Sequence, residues 1–356
     1  MLTSPDNRWY AAWLFILAAM LWLLWWLAPV LAPFLIAAVM AYILSPFVSQ
    51  FDKWLGGKLP KVLLVVLVEL VFLLVLLAVV AMVLPVFVKE AARIQAQLPT
   101  LLTQLQNHLG PALASLGIDI SMDPQTLKSF LSVHVASLWE NGLSSLLSSL
   151  QIGGSVALAL IGNLVLIPVA LFYLLLDGDR VLSHLRDWLP LKAKDSVADF
   201  VKEADAVLSE YVRGQLMVML IMSVYYSLGL SWFGLSVAWP IGIFTGLAVF
   251  VPYLGFGVGL LLAALAGLLE LPPMQAGIML AVVFGLGQFI ESFILTPRLI
   301  GERIGLHPLA VIFALLAFGQ LLGFVGVLIA LPASAVLLVA LRRLRTRYFS
   351  SRLYAG

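Results

Sequence analysis

Apolar residues in this chain come in long blocks, with polar stretches between them. Residues 9–51 are almost free of charge. A helix needs roughly 20 apolar residues to cross a hydrocarbon core of about 30 Å, so this block is too long for one crossing. Pro29 and Pro33 at its middle predict two spans, 9–28 and 32–50, joined by a tight proline turn. Lys53, Lys58 and Lys61 follow, and a third span is predicted over 61–86, ending near Pro85. Residues 88–151 are Gln- and Ser-rich, with Leu98, Leu101, Leu102, Leu105 and Leu109 in one stripe at helical spacing. Asp123-Pro124 reads as an N-cap followed by proline at the first helical position. A small extramembrane helical domain is expected there, and a fourth span over 153–176.

Residues 177–213 are polar again. Val197, Phe200, Val201, Ala204, Val207, Leu208 and Tyr211 recur every three or four positions, the pattern of an amphipathic helix lying on the membrane surface or against a neighbouring helix. It leads into a span at 214–233. Two apolar segments beyond it are broken. Residues 237–269 carry Pro252, Gly255, Gly257 and Gly259; residues 306–341 carry Gly319, Gly323, Gly326 and Pro332. An ordinary span, 274–296, separates them. Each broken segment is too long for one crossing and short for two, which suits a re-entrant hairpin. Irregular backbone at membrane depth survives only when buried in protein or facing a watery cavity, and paired interrupted segments point to a transport site. The expected organisation is 1–87 with three spans, 88–151 outside, 152–176 as the fourth span, 177–213 as cytoplasmic amphipathic helices, 214–341 as a transport core, and 342–356 as a basic tail.

Composition settles the solvent. Hydrophobic residues make up 63% and charged residues 11% of 356 residues. A soluble protein carries about 25% charged residues, so lipid is the medium that accepts this chain. Barrel strands alternate polar and apolar residues, whereas these runs are apolar on every face. The fold class is therefore all-α: a multi-pass helical membrane protein with two re-entrant helical hairpins and a small extramembrane helical domain. The chain has no cysteine, which excludes disulfides and thiolate metal sites. His108, His134, His184 and His307 lack metal-ligand spacing, so neither a metal nor a cofactor is expected. The formal net charge of +2 gives no sign of nucleic-acid binding. No signal peptide is expected, because the first apolar run is too long for one.

Loop charge sets the orientation. With the N-terminus in the cytoplasm and both broken segments as hairpins, only Lys89, Arg93 and Lys128 of the 20 lysines and arginines face out, as the positive-inside rule requires. Both termini are then cytoplasmic. The same arrangement makes 214–270 and 274–341 units of opposite topology, an expected inverted repeat.

Several short pieces resemble the autoinducer-2 exporter family, also described as a permease family: LLLDGDR at 174–180, WLP at 188–190, YVRGQ at 211–215, VPYLG at 251–255, QFIE at 288–291, PRLIG at 297–301, GLHPL at 305–309 and IALP at 329–332. The resemblance covers most of the second half; the early spans match in layout only. It implies export of small molecules across the bacterial inner membrane, with autoinducer-2, a quorum-sensing signal, as the namesake substrate. Some members are instead described as exchanging cations for protons. The resemblance also implies a homo-oligomer, with a pentamer as one form.

The residues themselves suggest where coupling would sit. Glu291 lies inside the 274–296 span, where a carboxylate is costly and faces the bundle interior or water. It could couple proton or sodium movement to transport, or pair structurally with Arg298 or Arg213. Gln288 lies one turn earlier on the same face. Arg213 and Gln215 stand where the surface helix enters the bilayer; arginine there either snorkels to headgroups or pairs with Glu291 or an anionic substrate. Pro252, Tyr253, Gly255 and Gly257 are expected at the first hairpin tip, and Gly319, Gly323 and Gly326 at the second, where opened helix ends expose N–H and C=O groups. Tight Gly-x-x-x-Gly packing is the alternative at Gly319 and Gly323. Asp177, Asp179, Arg298 and His307 are candidate gate residues. The structural alternatives are that Gly178, between the two aspartates, terminates a helix and that His307 caps one. Glu69, inside the third span, needs a partner that the sequence does not name. Trp22, Trp25 and Trp26 suit an interfacial aromatic belt.

A secondary transporter for a small-molecule substrate is the leading class. An oligomeric channel or passive pore is the second. No Walker sequence supports ATP-driven transport by this chain. An intramembrane serine enzyme using Ser231, Ser236 and His307 ranks far below, and no catalytic residue is assigned. A membrane scaffold that moves nothing is the remaining class.

Overall fold

A computed structural model describes residues 26–114, 154–300 and 307–350, together with residues 16, 19, 20, 22, 23 and 354. The expected domain at 88–151 lies largely outside these residues, as does most of the first span. Regular structure among the described residues is helical throughout: α1 (Ala28–Trp54), α2 (Lys61–Ala114), α3 (Gly154–Asp187), α4 (Leu191–Trp232), α5 (Ala238–Ala248) and α6 (Leu254–Glu270). A composite rod follows, made of α7 (Pro273–Met279), a π-helical stretch (Leu280–Phe284), α8 (Gly285–Phe289) and a second π-helical stretch (Ile290–Ile300). The last helix is α9 (Pro308–Phe349). Among the described residues, five segments are long and apolar enough to cross a membrane: Val30–Trp54, Lys61–Val86, Ala193–Trp232, Pro273–Leu299 and Leu309–Phe349. The protein is thus a multi-pass helical membrane protein.

Three boundaries differ from the sequence reading. The helix of the third span does not end near Pro85 but runs on to Ala114. α1 begins at Ala28 with Pro29 in its first turn, and Pro33 lies inside the helix; proline near a helix start gives up an N–H that has no intrahelical partner anyway. α3 does not stop at Gly178 but runs on to Asp187. Gly178 meets open space, and the Arg180–Asp177 ion pair at 2.9 Å bridges one turn across it. The break falls instead at Trp188-Leu189-Pro190, with α4 starting behind the proline.

Two compact units divide the chain. The first draws on Met1–Leu70, Gly162–Ser209 and Ile304–Gly356. Here the amphipathic half of α4 lies against neighbouring helices. The Tyr42 hydroxyl on α1 reaches both Asp205 Oδ1 and Ser209 Oγ at 2.8 Å. From α9, Arg343 Nε donates to Glu203 at 2.7 Å, its Nη1 donates to the Ser196 carbonyl at 3.1 Å, and its guanidinium lies over Phe200. α9 packs against α1 and is broken at Gly323 (φ 60°, ψ −141°). A Cβ on Gly326 would collide with the carbonyl of Phe318. In a straight helix these positions stand about 12 Å apart, so the chain reverses at Gly323. α9 is therefore a helical hairpin with arms 308–322 and 324–349.

The second unit draws on Val71–Ile161 and Glu210–Arg303. Its core joins α4, α5, α6 and the rod through Met222, Tyr226, Leu230, Ile241, Leu262, Ala266, Met279 and Phe284, all buried. Glycines set how closely the helices approach. Cβ atoms at Gly242 and Gly246 on α5 would run into Ser227 and Ser223 on α4. A Cβ at Gly255 would strike the backbone of Ala248, and one at Gly259 would strike Thr245, so α5 and α6 close the same way. Small residues four apart on facing helices bring backbones together in lipid, where van der Waals packing replaces the hydrophobic driving force.

Candidate functional site

The first broken segment forms a tight hairpin. Its turn contains a three-residue reversal: Leu254 N donates to the Pro252 carbonyl at 2.8 Å across Tyr253 (φ 65°, ψ −34°). This resembles a γ-turn of the strained hand, and a positive φ on an aromatic residue is an outlier. The Tyr253 ring is 64% exposed, so packing does not compensate for it. Gln215, buried on α4, donates from Nε2 to the Val249 carbonyl at 3.0 Å, where α5 ends. Gly255 and Gly257 lie beyond the turn, in the first part of α6; Gly257 meets open space. At the other end of the hairpin, Ser236 donates through both its N–H (2.7 Å) and its hydroxyl to the Glu270 carboxylate.

The rod beside this hairpin is wound too loosely for an α-helix in two places. Pro297 lies inside the second π-helical stretch. It has no N–H, and in a tight helix its ring would collide with the carbonyl four residues earlier; a π turn relieves both. In the first stretch, the Tyr225 hydroxyl donates to the Val283 carbonyl at 2.9 Å. Isolated π turns recur at functional sites. Glu291 is the second residue of the Ile290–Ile300 stretch. Its Oε2 is buried without a hydrogen-bond partner among the described residues.

Tyr226 on α4 shares that environment. It has no exposed surface, and its hydroxyl also makes no hydrogen bond among the described residues. Its ring packs on Phe284 at 5.0 Å between centroids and on Tyr225 at 5.4 Å. Gly287, one turn before Glu291, makes this possible, since a Cβ there would stand 2.8 Å from the Tyr226 oxygen. Buried polar atoms are nearly always satisfied, so two unsatisfied oxygens in one aromatic-walled region single it out.

The other candidates separate from this region. Gln288 donates to Ser292 along its own helix at 2.8 Å. Arg298 is exposed and makes no ion pair among the described residues. Arg213 is exposed. In the first unit, Asp177 pairs with Arg180, and Asp179 lies 3.7 Å from Lys61, whose ammonium also donates to the Leu176 carbonyl at 2.8 Å. His307 caps α9, its Nδ1 accepting from Leu309 N at 3.3 Å. Glu69 is only 7% exposed and makes no ion pair among the described residues. Gly323 forms the reversal of α9, flanked by Gly319 and Gly326. Tyr226 and the Ser223/Ser227–Gly242/Gly246 contact were missed from sequence, although the four-residue spacing of both pairs is visible there.

Among the described residues the fold defines a multi-pass helical membrane protein with buried, unsatisfied polar atoms inside one of its units. The particular family follows from its sequence: the profile of the AI-2E family transporter matches residues 14–346, and the chain belongs to that family. "Putative transport protein YrrI" of Bacillus subtilis is 31% identical over 185 residues, 51% of this chain and 52% of that protein. "Putative transport protein YueF" of the same organism is 29% identical over 236 residues, 65% of this chain and 61% of its own. The chain thus spans about half to three-fifths of the length of these two relatives. "Putative permease PerM" of Escherichia coli is 28% identical over 261 residues, 72% of this chain and 71% of that protein.

Proposed function

We propose that the protein is a secondary transporter exporting a small polar solute, with autoinducer-2 as the family's namesake substrate, and that Glu291 couples this movement to a proton or sodium gradient. One observation carries the reading: a carboxylate oxygen buried without a partner inside an apolar, π-wound segment. An unpaired charge is expensive there; a group that alternately takes up and releases a cation accounts for it. The short hairpin arms support the reading. α5 has 11 residues and α6 has 17, about 16 and 26 Å at 1.5 Å per residue, and arm 308–322 reaches about 22 Å, each short of a core of about 30 Å. The first hairpin is therefore read as re-entrant, whereas the second joins a short arm to arm 324–349, which at about 39 Å is long enough to cross. Inner-membrane location, cytoplasmic termini and a homo-oligomer, a pentamer being one form, belong to the same proposal.

The test is flux in proteoliposomes with and without an uncoupler, comparing the parent with Glu291→Gln. Loss of gradient dependence in a variant that folds and assembles normally supports the role. Gradient-driven flux at the parental rate in Glu291→Gln would count against it, and solute flux indifferent to the gradient in the parent would favour a passive pore.

A further inference from the structure

We propose that the outer face of the α9 C-terminus is a binding site for the phosphate of an anionic phospholipid. The four described arginines that follow Leu341 divide into two sets. Arg343 and Arg347 turn toward the protein: Arg343 holds Glu203 and the Ser196 carbonyl, and Arg347 holds the Ser196 hydroxyl. Arg342 and Arg345 are exposed and make no ion pair among the described residues. They line an open recess of about 490 Å³ with Thr346, Phe349 and Ser350. The Arg345 guanidinium lies 5.3 Å from the Phe349 ring centroid, which keeps one face of its fork against an aromatic surface and leaves its N–H groups for a ligand.

The position suits a lipid rather than a soluble anion. The recess begins where the apolar run of α9 ends, and Leu337, Leu341 and Leu344 beside it are all exposed. Phe349 packs against Tyr354 at 4.8 Å and Tyr348 against Tyr354 at 5.6 Å, an aromatic cluster of the kind that settles at headgroup level. A headgroup phosphate presented at that depth meets two guanidiniums, the Thr346 and Ser350 hydroxyls being engaged with helix carbonyls, while its acyl chains lie along the exposed leucines. Juxtamembrane arginines of this kind favour anionic lipid.

Native mass spectrometry of the full chain, released from detergent with phosphatidylglycerol or phosphatidylcholine, tests the site. Phosphatidylglycerol should be retained preferentially. R345Q should weaken its retention about fivefold, and R342Q/R345Q about twenty-five-fold. Lys58→Gln, a charge removed from a loop outside the recess, should leave it unchanged. Circular dichroism checks that the variants keep their helices, and R345Q alone suffices if the double variant does not fold. Equal retention of the two lipids, or parental retention by folded R345Q, would overturn the proposal. So would complete displacement by millimolar inorganic phosphate, which would reassign the recess to a free anion.

Discussion

Gln215 donates its side-chain amide to the main-chain carbonyl of Val249, 3.0 Å away and 34 positions later in the chain. A side chain expected to meet solute instead holds the end of a hairpin arm. The bond is buried, so its loss leaves a carbonyl with no other described partner in a place without water.

Gln215→Leu, which keeps most of the volume and removes the donor, should therefore cost about 1–3 kcal/mol. Thermal unfolding of the purified protein in detergent measures this. A cysteine placed at exposed Gly257 should also react faster with a maleimide in the variant, because the turn is no longer tethered. Unchanged stability and labelling would show that the bond does not hold the hairpin.

Glycine positions separate close packing from mere tolerance. Gly242→Ala puts a Cβ into the backbone of Ser227; no side-chain rotation relieves that, and a loss of at least about 1–3 kcal/mol is expected. Gly178→Ala meets open space within α3 and should stabilise by up to about 1 kcal/mol through helix propensity alone. The two midpoints, measured side by side, should move in opposite directions.

Tyr253 stores backbone strain. Tyr253→Gly relieves the positive φ and should raise stability by about 1 kcal/mol or more. If the strained turn holds the hairpin in a working geometry, transport should fall in the same variant while the unfolding midpoint rises. A midpoint that falls instead would mean that the exposed ring contributes packing after all.

The Tyr226 hydroxyl has no hydrogen-bond partner among the described residues, so Tyr226→Phe should cost nothing in stability and should add up to about 1 kcal/mol, since a buried unsatisfied hydroxyl is itself a penalty. The ring contacts with Phe284 and Tyr225 survive the change. A loss above about 1 kcal/mol would reveal that the hydroxyl bonds to Glu291 or to water in the membrane. Thermal unfolding of Tyr226→Phe, Glu291→Gln and the double variant separates these cases through the coupling of the two changes.

Much of the architecture was legible from the chain because lipid imposes a simple rule: apolar runs of sufficient length become helices with all their backbone groups satisfied internally. That rule placed the spans at 61–86 and 274–296. Glycine and proline marked the breaks at Pro252 and Gly323, since only certain residues accept the dihedral angles of a reversal. The reading failed at Gly178 because a glycine facing open space within an ion-paired turn need not end a helix.

What the sequence by itself determined is the medium, the helical class and the family. Tertiary structure alone decided which polar groups are spent and which are left over. Gln215 and Glu291 look equally available along the chain, yet one is satisfied by a distant carbonyl and the other has a bare buried oxygen. Hydrogen-bond satisfaction depends on neighbours dozens of residues away, and local pattern carries no record of them.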